Sequence, residues 1–281
     1  MIISSKELNI DAISNSGQCF RWKKITTKKY VCPTVEGLMS IHILPNSKLD
    51  ISGVSDKYIK EYFNLDLNYE KIIKSISFDP FVKIAIDKYY GLRVLNQDLL
   101  ETIYSFMLSQ NNTVLNVSRC IERISKTSNI LLDKKYNIYQ FPDLSELEKL
   151  HIKDFEEFKC GYRSKYLHSI PKHFKEVTLN SKYSSDKLRS ELLKFSGIGE
   201  KVADCILLYS LAKFEVVPMD TWIEKATKEL YGLKGNFKNK DIRKFYEDRF
   251  GEYAGWAHLF IFHYARISKG KNKSILECFN G

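Results

Sequence analysis

The stretch KFSGIGEKVADC, residues 194–205, decides how the second half of this chain folds. The segment before it places Leu188, Leu192 and Phe195 on one helical stripe, and an apolar segment follows it. Because glycine permits a tight turn and a close approach of the backbone, the pattern predicts a helix, a glycine-rich hairpin and a second helix at about residues 186–212.

The two glycines of this hairpin indicate a phosphate-binding turn. The first backbone N–H groups of a helix lack intrahelical acceptors, and together with the helix dipole they can bind a phosphate. Gly197 and Gly199 are therefore predicted to contact the backbone of a nucleic acid without reading its sequence. A plain turn between two helices, without a ligand, is the alternative for two glycines taken alone.

A lysine and an aspartate follow the hairpin at the starts of two predicted helices. Lys201 stands in a first helical turn, where the dipole disfavours a positive charge and so favours the neutral, nucleophilic amine. In VVPMDTWIE, residues 216–224, either Asp220 or Thr221 can cap the next helix. The alternatives are a solvated surface lysine and an aspartate that serves only as a cap.

Length and charge indicate how many domains the chain has and which class of partner it binds. Its 281 residues favour two domains, because single hydrophobic cores seldom grow past about 250 residues. With 44 Lys and Arg against 34 Asp and Glu, the formal charge is +10. This balance favours a polyanionic partner, nucleic acid before a membrane surface.

The hydrophobic period changes along the chain. Residues 1–95 are predicted to form a β-rich N-terminal domain, because CFRW (19–22) and LMSIHIL (38–44) alternate apolar and polar positions. From about Gln97 onward the period is helical. We therefore expect an α+β fold, with an N-terminal antiparallel sheet domain followed by an all-helical region at residues 96–281.

Several classes of protein are disfavoured. The six cysteines show neither a CxxC motif nor a tight Cys/His cluster, which argues against zinc and iron–sulfur sites and favours free thiols in a reducing cytosol. The first residues resemble neither a signal peptide nor a transit peptide, and no apolar run approaches the roughly 20 residues that cross a bilayer. We expect a soluble intracellular protein without metal or cofactor.

Two motifs together, SGIGEKVADC and VVPMD, resemble those of the helix–hairpin–helix DNA glycosylases. Four others look like the 8-oxoguanine DNA glycosylase/lyase branch of that superfamily: SNSGQCFRW, LLETIYSFMLSQNN, KCGYRSKYL and YAGWAHLFIFHYAR. The matches follow the family's order from about residue 13 to 266. The resemblance implies base-excision repair: 8-oxoguanine is flipped out of duplex DNA, its N-glycosidic bond is cleaved through a Schiff base, and β-elimination nicks the strand.

The resemblance also assigns roles to residues. It implies that Lys201 is the nucleophile and that Asp220 stabilises positive charge on the sugar. Tyr162 matches a tyrosine that fills the gap left by the flipped base, and Arg163 and Asn111 match residues that contact the orphaned cytosine. Without the family, a solvated arginine and a half-buried tyrosine would explain Tyr162 and Arg163.

The resemblance implies three contacts with the flipped base. Cys205 and Phe262 would stack on its two faces, and the carbonyl of Gly17 would accept the ring N–H that guanine gains on oxidation. Guanine would present a lone pair to that carbonyl instead, so a single proton distinguishes 8-oxoguanine from guanine. On the sequence alone, the preferred interpretation of Cys205 and Phe262 is that both are plain core residues.

Four positions depart from the family pattern. Ser196 replaces a hairpin proline, and Trp222 replaces a histidine near the DNA backbone, where an indole N–H still donates to phosphate. His258 stands where relatives carry a glutamine that reads the base edge, and a core histidine is the alternative. Asn116 replaces an arginine that demands cytosine opposite the lesion, so looser selectivity is expected.

Two rival functions remain open at this point. An alkylated-base glycosylase on the same scaffold would keep Asp220 but would need no lysine nucleophile. A noncatalytic helix–hairpin–helix module would bind DNA without needing either residue. We expect a monomer that acts on double-stranded DNA containing 8-oxoguanine in a prokaryotic cytoplasm, at the nucleoid.

Overall fold

An antiparallel sheet of five strands opens the chain. Its strands are β1 (Ile2–Ser4), β2 (Lys23–Thr26), β3 (Lys29–Thr34), β4 (Gly37–Leu44) and β5 (Lys48–Ser52). Their order across the sheet is β1-β5-β4-β3-β2. The computed structural model describes residues 1–233, 237–268 and 274–280.

The period-two pattern of LMSIHIL produces β4. Met39 and Ile41 are fully buried on one face, while His42 on the other face is exposed. Met39 lies opposite Cys32 of β3, and Ile41 lies opposite Ile51 of β5. Because successive side chains of a strand point to opposite faces, this register gathers the apolar residues on the side that packs against the helices.

Most of the remaining described chain is helical. The helices are α1 (Ile10–Ser14), α2 (Asp56–Tyr62), α3 (Tyr69–Ile76), α4 (Pro80–Tyr89), α5 (Leu99–Ser109), α6 (Val114–Ser125), α7 (Leu144–Leu147), α8 (Ile152–Glu157), α9 (Ser164–Glu176), α10 (Ser185–Leu192), α11 (Glu200–Ser210), α12 (Thr221–Leu230), α13 (Asn239–Phe250), α14 (Ala254–Ser268) and α15 (Ile275–Asn280). Two short 3₁₀ turns, Gly161–Arg163 and Gly251–Tyr253, precede α9 and α14. A small hairpin pairs β6 (Leu131–Asp133) with β7 (Ile138–Tyr139). The architecture confirms the predicted α+β class.

The first 95 residues contain more helix than their sequence pattern suggested. The strands end at Ser52, and α2, α3 and α4 follow. In α3 the buried residues recur with helical spacing, and Asn68 caps its start through a hydrogen bond from Lys71 N. These helices are short, so their period is easily missed beside the strands that precede them. The predicted domain division at residue 95 stays a prediction.

CFRW was expected to alternate as a strand and forms none. Cys19, Phe20 and Arg21 are all buried, because the segment runs between the sheet and the helices. Phe20 packs edge-on against Phe106 of α5, with ring centroids 5.6 Å apart. A segment buried on every side needs no alternation, which explains why the period-two prediction was wrong here.

The predicted helix–hairpin–helix is present as α10, residues 193–199 and α11. A buried carboxylate holds its two helices in place. Asp204 of α11 accepts hydrogen bonds from Arg189 Nε of α10 and from Arg243 Nη2 of α13, each at 2.8 Å. Burial raises the pKa of Asp204 and the two guanidinium groups oppose that shift. These two ion pairs therefore fix the position of α11 relative to α10 and α13.

Helix α14 crosses close to α11, and a glycine makes the approach possible. A Cβ on Gly255 would lie 2.5 Å from Leu208 Cδ1 and 2.8 Å from the carbonyl oxygens of Phe214 and Val216. Gly255 N also donates to Phe214 O at 2.7 Å. The backbone of α14 thus lies directly against the end of α11. No helix within the described residues combines the length and apolar character that crossing a bilayer requires.

Candidate active site

A cavity of about 290 Å³ lies where α5, α6, α11, α14 and the start of α12 converge on the loop around Gly17. Seventeen residues line it: Gly17, Phe20, Phe106, Ser109, Asn112, Thr113, Val114, Val117, Lys201, Cys205, Tyr209, Pro218, Asp220, Trp222, His258, Phe262 and Arg266. The wall is mostly apolar with a few polar groups, which is typical of a small-ligand site. The residues predicted to catalyse and to hold the base meet here.

Lys201 enters this cavity from the first turn of α11. Its Nζ donates to Ser109 Oγ at 3.3 Å and lies 5.6 Å from the ring centroid of Phe106. Among the described residues no carboxylate forms an ion pair with it. The amine is held by one neutral hydroxyl beside an aromatic face, so it is free to react with a ligand.

Asp220 is the N-cap residue of α12. Its Oδ1 accepts a hydrogen bond from Ile223 N at 2.8 Å, which decides between Asp220 and Thr221 as the cap. Pro218 and Met219 before it are buried and anchor the turn. Its other carboxylate oxygen has no hydrogen-bond partner in the described part of the chain. Asp220 therefore caps α12 through one oxygen, and the same carboxylate lines the cavity.

Cys205, Phe262 and Gly17 occupy the same cavity from three different elements. Burial raises the pKa of the Cys205 thiol to about 12, so this group is neutral and does not compete with Lys201 as a nucleophile. Gly17 has a φ of +82°, and a Cβ there would lie 3.8 Å from Phe262 Cε1. The three positions thus surround one volume, as the resemblance implied.

His258 is buried at 3 % exposure and lines the cavity. Burial lowers its pKa to about 3, so the ring is neutral at ordinary pH. It hydrogen-bonds the backbone of Pro218, and its Nδ1 is buried without a partner among the described residues. In a neutral ring that donates through Nε2, Nδ1 is an acceptor. Because Nδ1 is itself buried, the core-histidine alternative stays beside a role in ligand binding, and the latter stays a prediction.

The two hairpin glycines differ in what they do. Gly197 has a φ of +87°, and a Cβ would lie 2.6 Å from Tyr166 Cγ, so backbone conformation and packing both require glycine. At Gly199, the N-cap of α11, a Cβ would meet nothing within 4 Å. Gly199 therefore leaves the N-terminus of α11 open to an approaching backbone. Trp222, 37 % exposed, stands in the first turn of α12 and lines the same cavity as Lys201.

Tyr162 and Arg163 lie on the turn before α9. Tyr162 is 55 % exposed, and the Arg163 guanidinium lies 4.4 Å from its ring centroid. Arg163 itself is 7 % exposed and donates to the carbonyl oxygens of Gln110, Asn111 and Cys160. These hydrogen bonds also stabilise the turn at Asn111, whose φ is +45°. The predicted contact of Arg163 with the base opposite the lesion stays a prediction.

Asn116 lies in a second, basic cavity of about 400 Å³ beside this turn. The lining residues are Asn112, Asn116, Arg119, Cys120, Arg123, Lys159 and Arg163. Arg119, one helical turn after Asn116 on α6, is exposed. No motif in the sequence marks Arg119, although its spacing of three residues from Asn116 places both on one face of a helix.

Arg266 and Ser109 are two further polar lining residues that were not predicted from the sequence. Ser109 Oγ accepts a hydrogen bond from Lys201 Nζ. This contact joins α5 to α11, and no local sequence pattern predicts it. Arg266 lies on α14 four residues after Phe262, which itself lies four residues after His258. That spacing puts all three on one helical face and could have pointed to Arg266.

Two family models match the chain: the 8-oxoguanine DNA glycosylase N-terminal domain at residues 1–103, and the HhH-GPD superfamily of base excision DNA repair proteins at residues 104–251. The N-glycosylase/DNA lyase OGG1 of Arabidopsis thaliana is 27 % identical over 92 % of this chain and 78 % of its own.

Two solved structures are similar over nearly their whole length. The Clostridium acetobutylicum 8-oxoguanine glycosylase/lyase, in complex with double-stranded DNA containing cytosine opposite 8-oxoguanine, matches with a TM-score of 0.87 and 33 % identity, covering 93 % of this chain and 92 % of that one. MBOgg1, in complex with a low-affinity DNA ligand, matches with a TM-score of 0.88 and 31 % identity, covering 95 % of each chain.

Proposed function

The chain belongs to the HhH-GPD superfamily of base excision DNA repair proteins, as a bifunctional 8-oxoguanine DNA glycosylase/lyase, and from this premise we propose how its own residues perform the reaction. The substrate is double-stranded DNA containing 8-oxoguanine. The monomeric state and the prokaryotic cytosol stay predictions.

The damaged nucleotide must leave the stack before Lys201 can reach its sugar, at a cost of a few kcal/mol. Tyr162, half-exposed on its turn, fills the space left in the duplex. Gly197, Gly199 and Trp222 contact the DNA backbone near the start of α11, where no side chain caps the helix and its first N–H groups can bind a phosphate. The opposite base then lies over Asn111, Asn116 and the second cavity.

The flipped base enters the cavity between Cys205 and Phe262. The Gly17 carbonyl accepts the N7–H that oxidation adds, and His258 Nδ1 accepts from the N1–H or the exocyclic amine of the pairing edge. The glutamine that the family resemblance implies at this position would likewise offer an acceptor, its amide oxygen. A neutral imidazole can replace it because burial keeps the ring unprotonated.

Lys201 then attacks C1′ with its unprotonated Nζ. The bond between C1′ and N9 breaks, and the base leaves with the electron pair and takes up a proton. Asp220 lies in the same cavity and stabilises positive charge on the sugar as this bond stretches. Nζ loses a proton, the C1′–O4′ bond opens with protonation of O4′, and a Schiff base joins C1′ to Lys201.

Strand cleavage follows from the Schiff base. A proton leaves C2′, the bond from C3′ to its oxygen breaks, and the 3′ phosphate departs with the electron pair. Water then hydrolyses the imine and returns Lys201 to its free form. The single observation that carries this proposal is one base-sized cavity lined both by a capping carboxylate and by an amine that has no carboxylate partner among the described residues.

Borohydride trapping tests the mechanism, because borohydride reduces the imine to a stable amine. Wild-type protein incubated with an 8-oxoguanine duplex should form a covalent protein–DNA complex, and Lys201→Gln should form none. Lys194→Gln is the matched control, since Lys194 is an exposed hairpin lysine paired with Glu191, and it should trap normally. Binding without trapping in the wild type would support the noncatalytic module instead.

A further inference from the structure

One face of α14 carries His258, Phe262 and Arg266 at successive intervals of four residues, and all three line the cavity. Four residues advance a helix by about 6 Å, so His258 lies one turn before Phe262 and Arg266 one turn beyond it. The ring centroids of His258 and Phe262 are 6.0 Å apart, and Arg266 Cζ is 5.8 Å from the Phe262 centroid. The two polar side chains thus flank the stacking residue on opposite sides.

Arg266 has no counter-charge in the part of the chain that the structure describes. Within the described residues it forms no ion pair, and its Nε is buried without a hydrogen-bond partner. Burial lowers the pKa of this guanidinium, since no carboxylate offsets the loss of water. A guanidinium has only donors to offer and is expensive to bury unpaired. Arg266 as a whole is only half-buried, so its other N–H groups can donate to an acceptor that a ligand brings into the cavity.

The position of Arg266 indicates which acceptor that is. A Cβ built on Gly17 would lie 3.7 Å from both Cζ and Nη1 of Arg266, so the guanidinium lies beside the residue whose carbonyl accepts N7–H. With the pairing edge of the base toward His258, the opposite end that reaches Arg266 is the imidazole ring. The exocyclic atom at that end, next to N7, is O8.

We propose that Arg266 donates a hydrogen bond to O8 of the flipped 8-oxoguanine. This inference rests on the proposed function, because it uses the base orientation argued there. Guanine carries C8–H at the same point, which offers no acceptor and leaves the guanidinium unpaired. The lesion is then read by two adjacent contacts, N7–H to the Gly17 carbonyl and O8 to Arg266, and each is made only by the oxidised base.

Three measurements on Arg266→Met test this, because methionine keeps a long apolar stem over Phe262 and removes every donor. The first is the single-turnover rate of 8-oxoguanine excision. The second is strand cleavage at a preformed abasic site, which lacks the base. The third is the affinity ratio between 8-oxoguanine and guanine in duplexes with a non-cleavable 2′-fluoro sugar. Lys88→Met is the matched control, since Lys88 is a cation near the end of α14, beside Ser268, that does not line the cavity.

Excision by Arg266→Met should fall by roughly 10- to 100-fold, the range for a lost hydrogen bond to a charged group, and the affinity ratio should shrink in step. Abasic-site cleavage should stay within about threefold. Arg266→Lys, which restores one charged donor, should recover part of both losses and also serves if the methionine variant fails to fold. Lys88→Met should match the wild type.

Two results overturn the assignment. An equal loss on abasic DNA would place Arg266 on a phosphate rather than on the base. An unchanged affinity ratio, with excision within about threefold of the wild type, would show that O8 is not contacted. Failure of the proposed function is distinguishable from both, because the wild type would then leave the 8-oxoguanine duplex uncleaved.

Discussion

Replacing Asp220 separates a structural role from a catalytic one, since the same side chain caps α12 and lines the cavity. Its Oδ1 accepts from Ile223 N at 2.8 Å. Asparagine keeps an acceptor in that position and is about as good an N-cap, so Asp220→Asn loses only the favourable charge at the helix N-terminus, about 0.3–1 kcal/mol. Alanine loses the hydrogen bond as well, about 0.5–2 kcal/mol.

The two variants should therefore differ in stability and agree in rate. At roughly 2–4 °C per kcal/mol, Asp220→Asn should melt about 1–4 °C below the wild type and Asp220→Ala up to about 8 °C below it. Both remove the negative charge opposite the developing positive charge of the sugar. We expect both to lower the rate by about 10²- to 10³-fold, by analogy with removal of one preorganised electrostatic group.

Single-turnover excision of 8-oxoguanine is the suitable assay, because product release does not limit it. It should be run below the lower melting onset, beside thermal unfolding of each variant. The reasoning fails if Asp220→Asn excises within about threefold of the wild type. It also fails if the rates follow stability, with asparagine active and alanine inactive, because the carboxylate would then serve only as a cap.

Three further predictions address the other roles. Lys201→Gln should bind an 8-oxoguanine duplex with near wild-type affinity yet release no base, and retained excision would remove Lys201 from the mechanism. The wild type should excise 8-oxoguanine opposite adenine, guanine or thymine at rates closer to the cytosine case than a relative with arginine at this position, and Asn116→Arg should restore part of the preference for cytosine; a strict cytosine requirement in the wild type would mean that other groups, Arg119 among them, supply the selectivity. His258 has a folded-state pKa of about 3 against an ordinary value near 6.5, so protonation favours the unfolded chain and the stability it confers is lost as the pH falls below 6.5. Between pH 7.5 and 5.5 the wild type should lose about 1.4 kcal/mol of unfolding free energy that His258→Gln keeps, and equal losses in urea melts would contradict the buried neutral ring.

Local patterns in the sequence were enough to predict the parts of the site that depend on neighbouring residues. Glycine spacing predicted the hairpin, the apolar stripe of Leu188, Leu192 and Phe195 predicted the buried face of the helix before it, and the choice of cap lay between two adjacent residues, of which Asp220 is the one observed. Hydrogen bonding and side-chain period act within about four residues along a chain, so these features are visible without the fold. The family resemblance added the identities of the reacting groups.

Tertiary structure decided what depends on residues distant in sequence. Whether CFRW alternates depends on which elements cover it, and the segment proved to be buried on every side. The guanidinium of Arg163 is held by backbone carbonyls some fifty residues away. The ring of His258 is neutral because packing removes water from it, and partial burial lowers the pKa of Arg266 for the same reason. Desolvation is a property of the assembled cavity, and a sequence of residue types does not specify it.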